Sequence, residues 1–199
     1  TRAGHRISGL RVAVVDMGTN STRLLVADVD GGRVREVERR STVTRLGRGV
    51  DLSGQLAAEA IEDVCAAVAG YIGLYESLGA ERVVAIATSA VRDASNSQMF
   101  LAELRERFAL DARILEGSVE GRLTYLGACA ERPPADKTLV VDIGGGSTEL
   151  AVGDGPAVGF YASLQAGTVR HTERYITHDP PEAAELEELA RDVRRLIDD

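Results

Sequence analysis

Apolar residues in this chain come in short runs that stop at polar turns. Residues 10–29, LRVAVVDMGTNSTRLLVADV, hold two such runs, one ending at Asp16 and one starting near Thr22; the pattern predicts two strands joined tightly. Residues 33–43 alternate and predict a third strand, and TRLGRGVDLSG, 44–54, reads as a glycine-rich loop. The period then changes. Leu56, Ala60, Ile61, Val64, Val68 and Ile72 follow helical spacing, in a helix opened by Ser53 or Gly54, running to about Ser77 and broken by Gly79. ERVVAIATS, 81–89, reads as a buried strand. Ser95 or Asn96 caps a helix to about Phe108. A short strand at 112–115 and a helix from Ser118 to Cys129 follow, up to a break at Pro133–Pro134.

After the prolines the pattern restarts. TLVVDIGGG, 138–146, predicts a strand into a turn, STELAVG its return, and AVGFYASL, 157–164, a third strand. HTERYI lies in a further helix or turn, and EAAELEELARDVRRLI is a helix with acids first and arginines late, as the helix dipole favours. The layout predicts an α/β chain: a flexible extension over 1–9, a first mixed-sheet unit over 10–130, and a second over 131–199 that reads as the beginning of a domain.

The two units share a signature. DMGTNSTRL, 16–24, and DIGGGSTEL, 142–150, carry Asp, Gly, Ser, Thr and Leu at matching positions, each after a short aliphatic run and before another. Such a turn suits oxyanions: glycine opens backbone angles and removes the Cβ in the way of an approaching phosphate. Successive amides then converge on one concavity, and Ser or Thr hydroxyls add donors. The Asp at the strand end suits a metal ion or its bound water. Neither copy is a GxxxxGK[ST] loop or a GxGxxG fingerprint, and Ser147 does not lie in GxSxG.

Composition narrows the function classes. Hydrophobic residues are 44% and charged residues 27%, as in an ordinary globular protein, and the net charge of −8 argues against a nucleic-acid polymer as partner. It leaves room for a small anion held by local amides, arginines and a cation. No apolar run approaches a membrane span, so no membrane partner is expected. Cys65 and Cys129 sit in apolar helical stretches without ligand spacing and are expected to be buried free thiols, which suits a cytoplasmic protein. His5, His171 and His178 make no metal-ligand pattern.

At these residues the sequence resembles the exopolyphosphatase and guanosine-pentaphosphate phosphohydrolase family. DMGTNSTRLLV (16–26) and VVDIGGGSTEL (140–150) look like its two phosphate loops. ATSAVRDASN (87–96) is similar to its arginine segment, LEGSVEGRLTYLGA (115–128) to its catalytic-glutamate segment, and SLQAGTVRHTERY (163–175) to a later one. The resemblance implies the ribonuclease H-like fold of the actin, sugar-kinase and Hsp70 superfamily, with mixed β-sheets flanked by helices. It implies exopolyphosphatase activity, the release of orthophosphate from the ends of inorganic polyphosphate. Hydrolysis of guanosine pentaphosphate is the nearest alternative, and noncatalytic binding of polyphosphate or alarmone another. It further implies Mg²⁺ or another divalent cation, and a homodimer for the full-length protein, with part of the substrate path in C-terminal regions beyond this sequence.

Carried onto this chain, the resemblance makes Glu120 the catalytic base, Asp142 and Asp16 the metal-site residues, and Arg92 a phosphate clamp. Gly144, Gly145, Gly146 and Ser147 cradle one phosphate, with Thr19, Asn20 and Ser21 facing them. Arg23 either meets a phosphate or orients its hairpin, and Arg45 and Arg48 either line a polyanion route or are ordinary loop arginines. Two departures stand out: Val119 occupies the place of the first Glu of the family's usual pair, and Gly121 that of an Ala.

Overall fold

A computed structural model of the chain describes residues 9–130, 132 and 137–198. Most of the expected N-terminal extension, with His5, and the Pro133–Pro134 break lie outside them. Strands β1 (Leu10–Met17), β2 (Ser21–Asp30) and β3 (Arg33–Val43) form an antiparallel meander. Short helix α1 (Val50–Ser53) and long helix α2 (Ala58–Ser77) lead to β4 (Arg82–Ala87), parallel to β1. Helices α3 (Ser89–Asp93) and α4 (Ser97–Phe108) lead to β5 (Ala112–Ile114), parallel to β4. The sheet order is β3-β2-β1-β4-β5. Alternation on β1 puts Ala13, Val15 and Met17 on one face, where they are buried with Val64, Cys65 and Val68 of α2 and Phe100 and Leu104 of α4.

One helix start and one cap differ from the sequence expectation for one reason. Gly54 takes a left-handed φ of 66° and ends α1. The Asn96 amide then clamps the Leu56 backbone, accepting from its N–H and donating to its C=O, both at 2.9 Å. Leu56 is thereby held before the helix, and α2 begins only at Ala58. Asn96 does occupy the N-cap position of α4, but its side chain is spent on Leu56 and makes no cap bond. Strand β4 is also less buried than expected: Val83 and Val84 are exposed, because short β5 pairs only with Ala85–Ala87.

Helix α5 (Gly117–Cys129) precedes the second sheet, an antiparallel meander of β6 (Thr138–Ile143), β7 (Thr148–Asp154) and β8 (Ala157–Leu164). The sequence reading groups α5 with the first unit; its packing is with the second sheet. Tyr125 is buried there, its hydroxyl donating to the Gly155 carbonyl at 3.1 Å, and a Cβ at Gly153 would stand 2.5 Å from the Tyr125 ring. Helices α6 (Thr168–Tyr175) and α7 (Ala183–Asp198) pack on each other around buried His171. Leu139, Val141, Ile143 and Phe160 of the second sheet are exposed. Cys65 is a buried free thiol, whereas Cys129 is only half-buried. Among the described residues no helix is long and apolar enough to cross a membrane.

Candidate active site

The two signature hairpins are one structure built twice. Asp16 pairs with Arg23 and Met17 with Thr22; Asp142 pairs with Glu149 and Ile143 with Thr148. In each, the first glycine amide donates to the carbonyl of the serine that closes the turn, Gly18 to Ser21 at 3.0 Å and Gly144 to Ser147 at 2.9 Å. Thr19 is therefore the counterpart of Gly145, Asn20 of Gly146 and Arg23 of Glu149.

Both turns have their carbonyls held from behind. Thr19 O accepts from the Gly47 amide at 2.8 Å, and Asn20 O accepts from Thr44 and Arg45 at 3.1 and 3.0 Å. Arg45 takes a left-handed φ of 46°, a turn in which successive amides converge. On the second hairpin the start of α6 does this work. Gly144 O accepts from the Thr168 amide at 2.9 Å, Gly145 O from Val169 and Arg170 amides at 2.8 and 3.1 Å, and Gly146 O from Arg170 Nε at 2.7 Å. In a trans peptide the C=O of one residue and the N–H of the next point opposite ways. The amides of Gly145, Gly146 and Ser147 thus turn away from α6, to the side on which these residues line a cleft.

Of the two reasons expected for the glycine triplet, unusual backbone angles do not apply. None of Gly144, Gly145 and Gly146 takes a left-handed φ. What Gly145 and Gly146 permit is close approach of the other hairpin. A Cβ at Gly146 would lie 2.6 Å from Ser89 Oγ and 2.8 Å from Thr19 Oγ1, and one at Gly145 3.0 Å from Thr19 Cβ. Thr19 is boxed from its other side by Gly47, whose Cβ would stand 2.2 Å from Thr19 Cγ2.

Between the hairpins lies a cleft of about 220 Å³, lined by every expected catalytic, phosphate and metal residue except Arg92; Arg45 and Arg48 lie outside it, in a separate hollow with Thr168 and Glu173. Glu120 reaches it from the first turn of α5. Burial, then the Glu149 carboxylate, push the Glu120 carboxyl up to about 7 against the pull of Arg92. Arg92 Nη1 donates to Glu120 Oε2 at 3.1 Å and to the Leu115 carbonyl at 2.6 Å, so the expected phosphate clamp is paired with the expected base. Its neighbour Asp93 is taken by Arg170. Burial also raises Asp16, with Arg23 pulling the other way and Asp142 adding to the rise.

Asp16 Oδ1 is buried without a hydrogen-bond partner, while Asp142 meets Thr124 Oγ1 at 3.5 Å. Among the described residues no group of three or more His, Cys, Asp or Glu is set to hold a metal ion by itself. Two carboxylates facing a cleft, one with an orphaned oxygen, nonetheless suit Mg²⁺, which keeps waters and takes phosphate oxygens to complete its shell.

Sequence reasoning missed several participants. Glu149 is buried and accepts from Ser147 Oγ at 2.7 Å and Ser163 Oγ at 2.9 Å. The Ser147 hydroxyl, expected to donate to phosphate, is thus directed at Glu149. The only sequence signal for Glu149 was its mismatch with Arg23. Thr88, Ser89 and Thr124 also line the cleft. Neither departure lines the cleft: Val119 is 44% exposed, and a Cβ at Gly121 would meet Glu149 and Tyr161 at ordinary distances of 3.8–4.0 Å. Gly121→Ala should therefore stabilise the fold by about 0.5–1 kcal/mol through helix propensity, measured by urea unfolding.

A family model described as the Ppx/GppA phosphatase family matches residues 25–199. The chain belongs to this family. Exopolyphosphatase 2 of Mycobacterium tuberculosis is 40% identical over 198 aligned residues, which cover 94% of this chain and 62% of that protein. The crystal structure of an exopolyphosphatase-like protein superposes with a TM-score of 0.91 at 37% identity, over 96% of this chain and 61% of that one. A Ppx/GppA family member from Aquifex aeolicus gives a TM-score of 0.75 at 35% identity, over 90% and 58%. The mixed sheets flanked by helices are thus the actin-like fold of Ppx/GppA proteins. The chain spans 57–62% of the length of the curated relatives it matches.

Proposed function

We propose that this chain builds the hydrolytic cleft of an exopolyphosphatase, with Glu120 as the base that activates water. The observation that carries the reading is the placement of Glu120, held near neutrality, between two hairpins whose carbonyls are drawn back and whose amides face inward. A carboxyl at about 7 is half ionised at neutral pH and suits proton removal from water. The terminal phosphate of a polyphosphate chain is cradled by the amides of Gly145, Gly146 and Ser147, with Thr19, Asn20 and Ser21 opposite. Water attacks the terminal phosphorus and gives its proton to Glu120. The P–O bond to the next phosphate breaks, yielding orthophosphate and a chain shorter by one.

Arg92 completes the design. When a phosphate draws the guanidinium from Glu120, the carboxylate loses the partner that lowered its pKa and becomes a stronger base. Asp142 and Asp16 would hold a divalent cation, largely through water, and the cation would supply neutralisation of phosphate charge. Family membership supports a divalent-cation-dependent mechanism, and M. tuberculosis Exopolyphosphatase 2 points to polyphosphate as the substrate.

Two assays test this. Orthophosphate release is compared for long polyphosphate and guanosine pentaphosphate; clear preference for the nucleotide would replace the lead reading by its alternative. Asp142→Asn should raise the Mg²⁺ concentration for half-maximal release by about tenfold or more, as loss of a charged ligand contact of about 1.5–3 kcal/mol requires. An unchanged Mg²⁺ profile would remove Asp142 from the metal site.

A further inference from the structure

Behind the glycine hairpin, one side chain joins it to the first unit. Arg170 is 11% exposed and uses its whole fork: Nε donates to the Gly146 carbonyl at 2.7 Å, Nη1 to Asp51 and Nη2 to Asp93. Asp51 lies on α1 and Asp93 ends α3, one residue past Arg92. Asp51 is doubly held, because Arg174 also binds it, with Nη2 at 2.7 and 2.8 Å and Nε at 3.0 Å. No described hydrogen bond joins Arg174 to the hairpin. Nearby, both Glu173 carboxylate oxygens accept from the Gly49 amide, at 3.2 and 3.0 Å.

We propose that Arg170 is a positioning residue that sets the Gly146–Ser147 peptide for phosphate, and that it does so only while the two units are closed on each other. The proposal rests on reading the cleft as a phosphate site. The guanidinium is planar and its donors have fixed directions. With Nη1 and Nη2 committed to Asp51 and Asp93, Nε can aim at only one place, and that place is Gly146 O. Holding that carbonyl back turns the Ser147 N–H forward. If the units part, the fork must leave either the carboxylates or the hairpin, since Asp51 and Asp93 lie on the first unit and Gly146 on the second.

The first hairpin has no such dependence. Its carbonyls are held by amides of Thr44, Arg45 and Gly47 from its own unit. Gly144 O and Gly145 O are held by the α6 backbone, within the second unit. Only the last carbonyl of the glycine cradle depends on a side chain that crosses between units, and its peptide carries the Ser147 amide. Closure therefore completes the cradle, and an open protein presents one donor fewer.

Amide NMR of the isotopically labelled chain, titrated with inorganic tripolyphosphate, tests this in parent, Arg170→Gln, Arg170→Lys and Arg174→Gln. In the parent, the Gly145, Gly146 and Ser147 amide signals should shift and saturate. In Arg170→Gln the Ser147 signal should already be displaced without ligand, and tripolyphosphate should bind at least about tenfold more weakly, the range for a charged hydrogen bond. Arg170→Lys keeps a cation between the carboxylates but has no second nitrogen for Gly146, so it should weaken binding similarly; this arm decides the matter if Arg170→Gln does not fold. Arg174→Gln loses the same Asp51 partner without touching the hairpin, and Arg170 still holds Asp51, so it should bind within about threefold of the parent. Rescue by Lys, an unmoved Ser147 amide, or equal weakening in Arg174→Gln would overturn the proposal and leave Arg170 as a tie between units. A parent that ignores tripolyphosphate would instead sink the phosphate reading, while the ligand-free Ser147 signal still decides whether Arg170 orients the peptide.

Discussion

Glu120→Gln should lower orthophosphate release from polyphosphate by about 10²–10⁴-fold, the usual range for a general base, while polyphosphate affinity stays the same or rises as a negative charge leaves the cleft. In the parent at low substrate, release should climb as pH rises through about 7, the value of the substrate-free carboxyl, because the protonated carboxyl cannot accept a proton from water. The same shift has a stability consequence. The folded carboxyl binds its proton more tightly than an unfolded one of ordinary value 4.5, so its stabilising contribution is complete below 4.5 and lost as pH rises through about 7. The Gln variant never ionises there. Its thermal midpoint should exceed the parent's at pH 8 and approach it near pH 4. Turnover within threefold of the parent would remove Glu120 from the chemistry, whatever the melting curves show.

Gly146→Ala should cut release by about 100-fold or more, the scale expected when reacting groups are displaced by roughly an ångström. The added carbon would stand 2.6 Å from Ser89 Oγ and 2.8 Å from Thr19 Oγ1. Thr19 cannot retreat, because Gly47 and Gly145 close its other sides. The hairpins must separate, at a cost of about 1–3 kcal/mol typical of overpacking. Gly73→Ala is the control: its Cβ would meet nothing within 4 Å and it lies inside α2, so activity should hold and stability should hold or rise slightly through helix propensity. Denaturant unfolding and phosphate release on both variants check the pair; normal activity in Gly146→Ala would mean that the approach of the hairpins does not matter.

What was legible in the sequence was local. The strand alternation, the helical spacing of Ile61, Val64 and Val68, and the two signature turns are each written within a dozen residues, and these place most of the cleft. What was not legible depends on distant partners. Asn96 looks like a cap until its amide is seen clamping Leu56 across the fold. Arg92 looks free to bind phosphate until Glu120 is found beside it. Nothing in HTERY announces that the arginine before it will hold Gly146, Asp51 and Asp93 at once. The triple glycine was attributed to backbone freedom and to room for phosphate; Gly145 and Gly146 also leave room for Thr19 and Ser89, which no local pattern announces.

The one charged mismatch between the hairpins, Arg23 against Glu149, has a consequence for the direction of reaction. Two identical turns face to face would share a twofold axis, and a phosphoryl group centred between them would feel the same field from either side. Entry of the nucleophile and departure of the leaving group would then be indistinguishable to the protein. Thr19 and Asn20 against Gly145 and Gly146 already break that axis in shape; Arg23 opposite Asp16 and Glu149 opposite Asp142 break it in charge. One wall is close to neutral and the other strongly anionic, so the cleft has a front and a back.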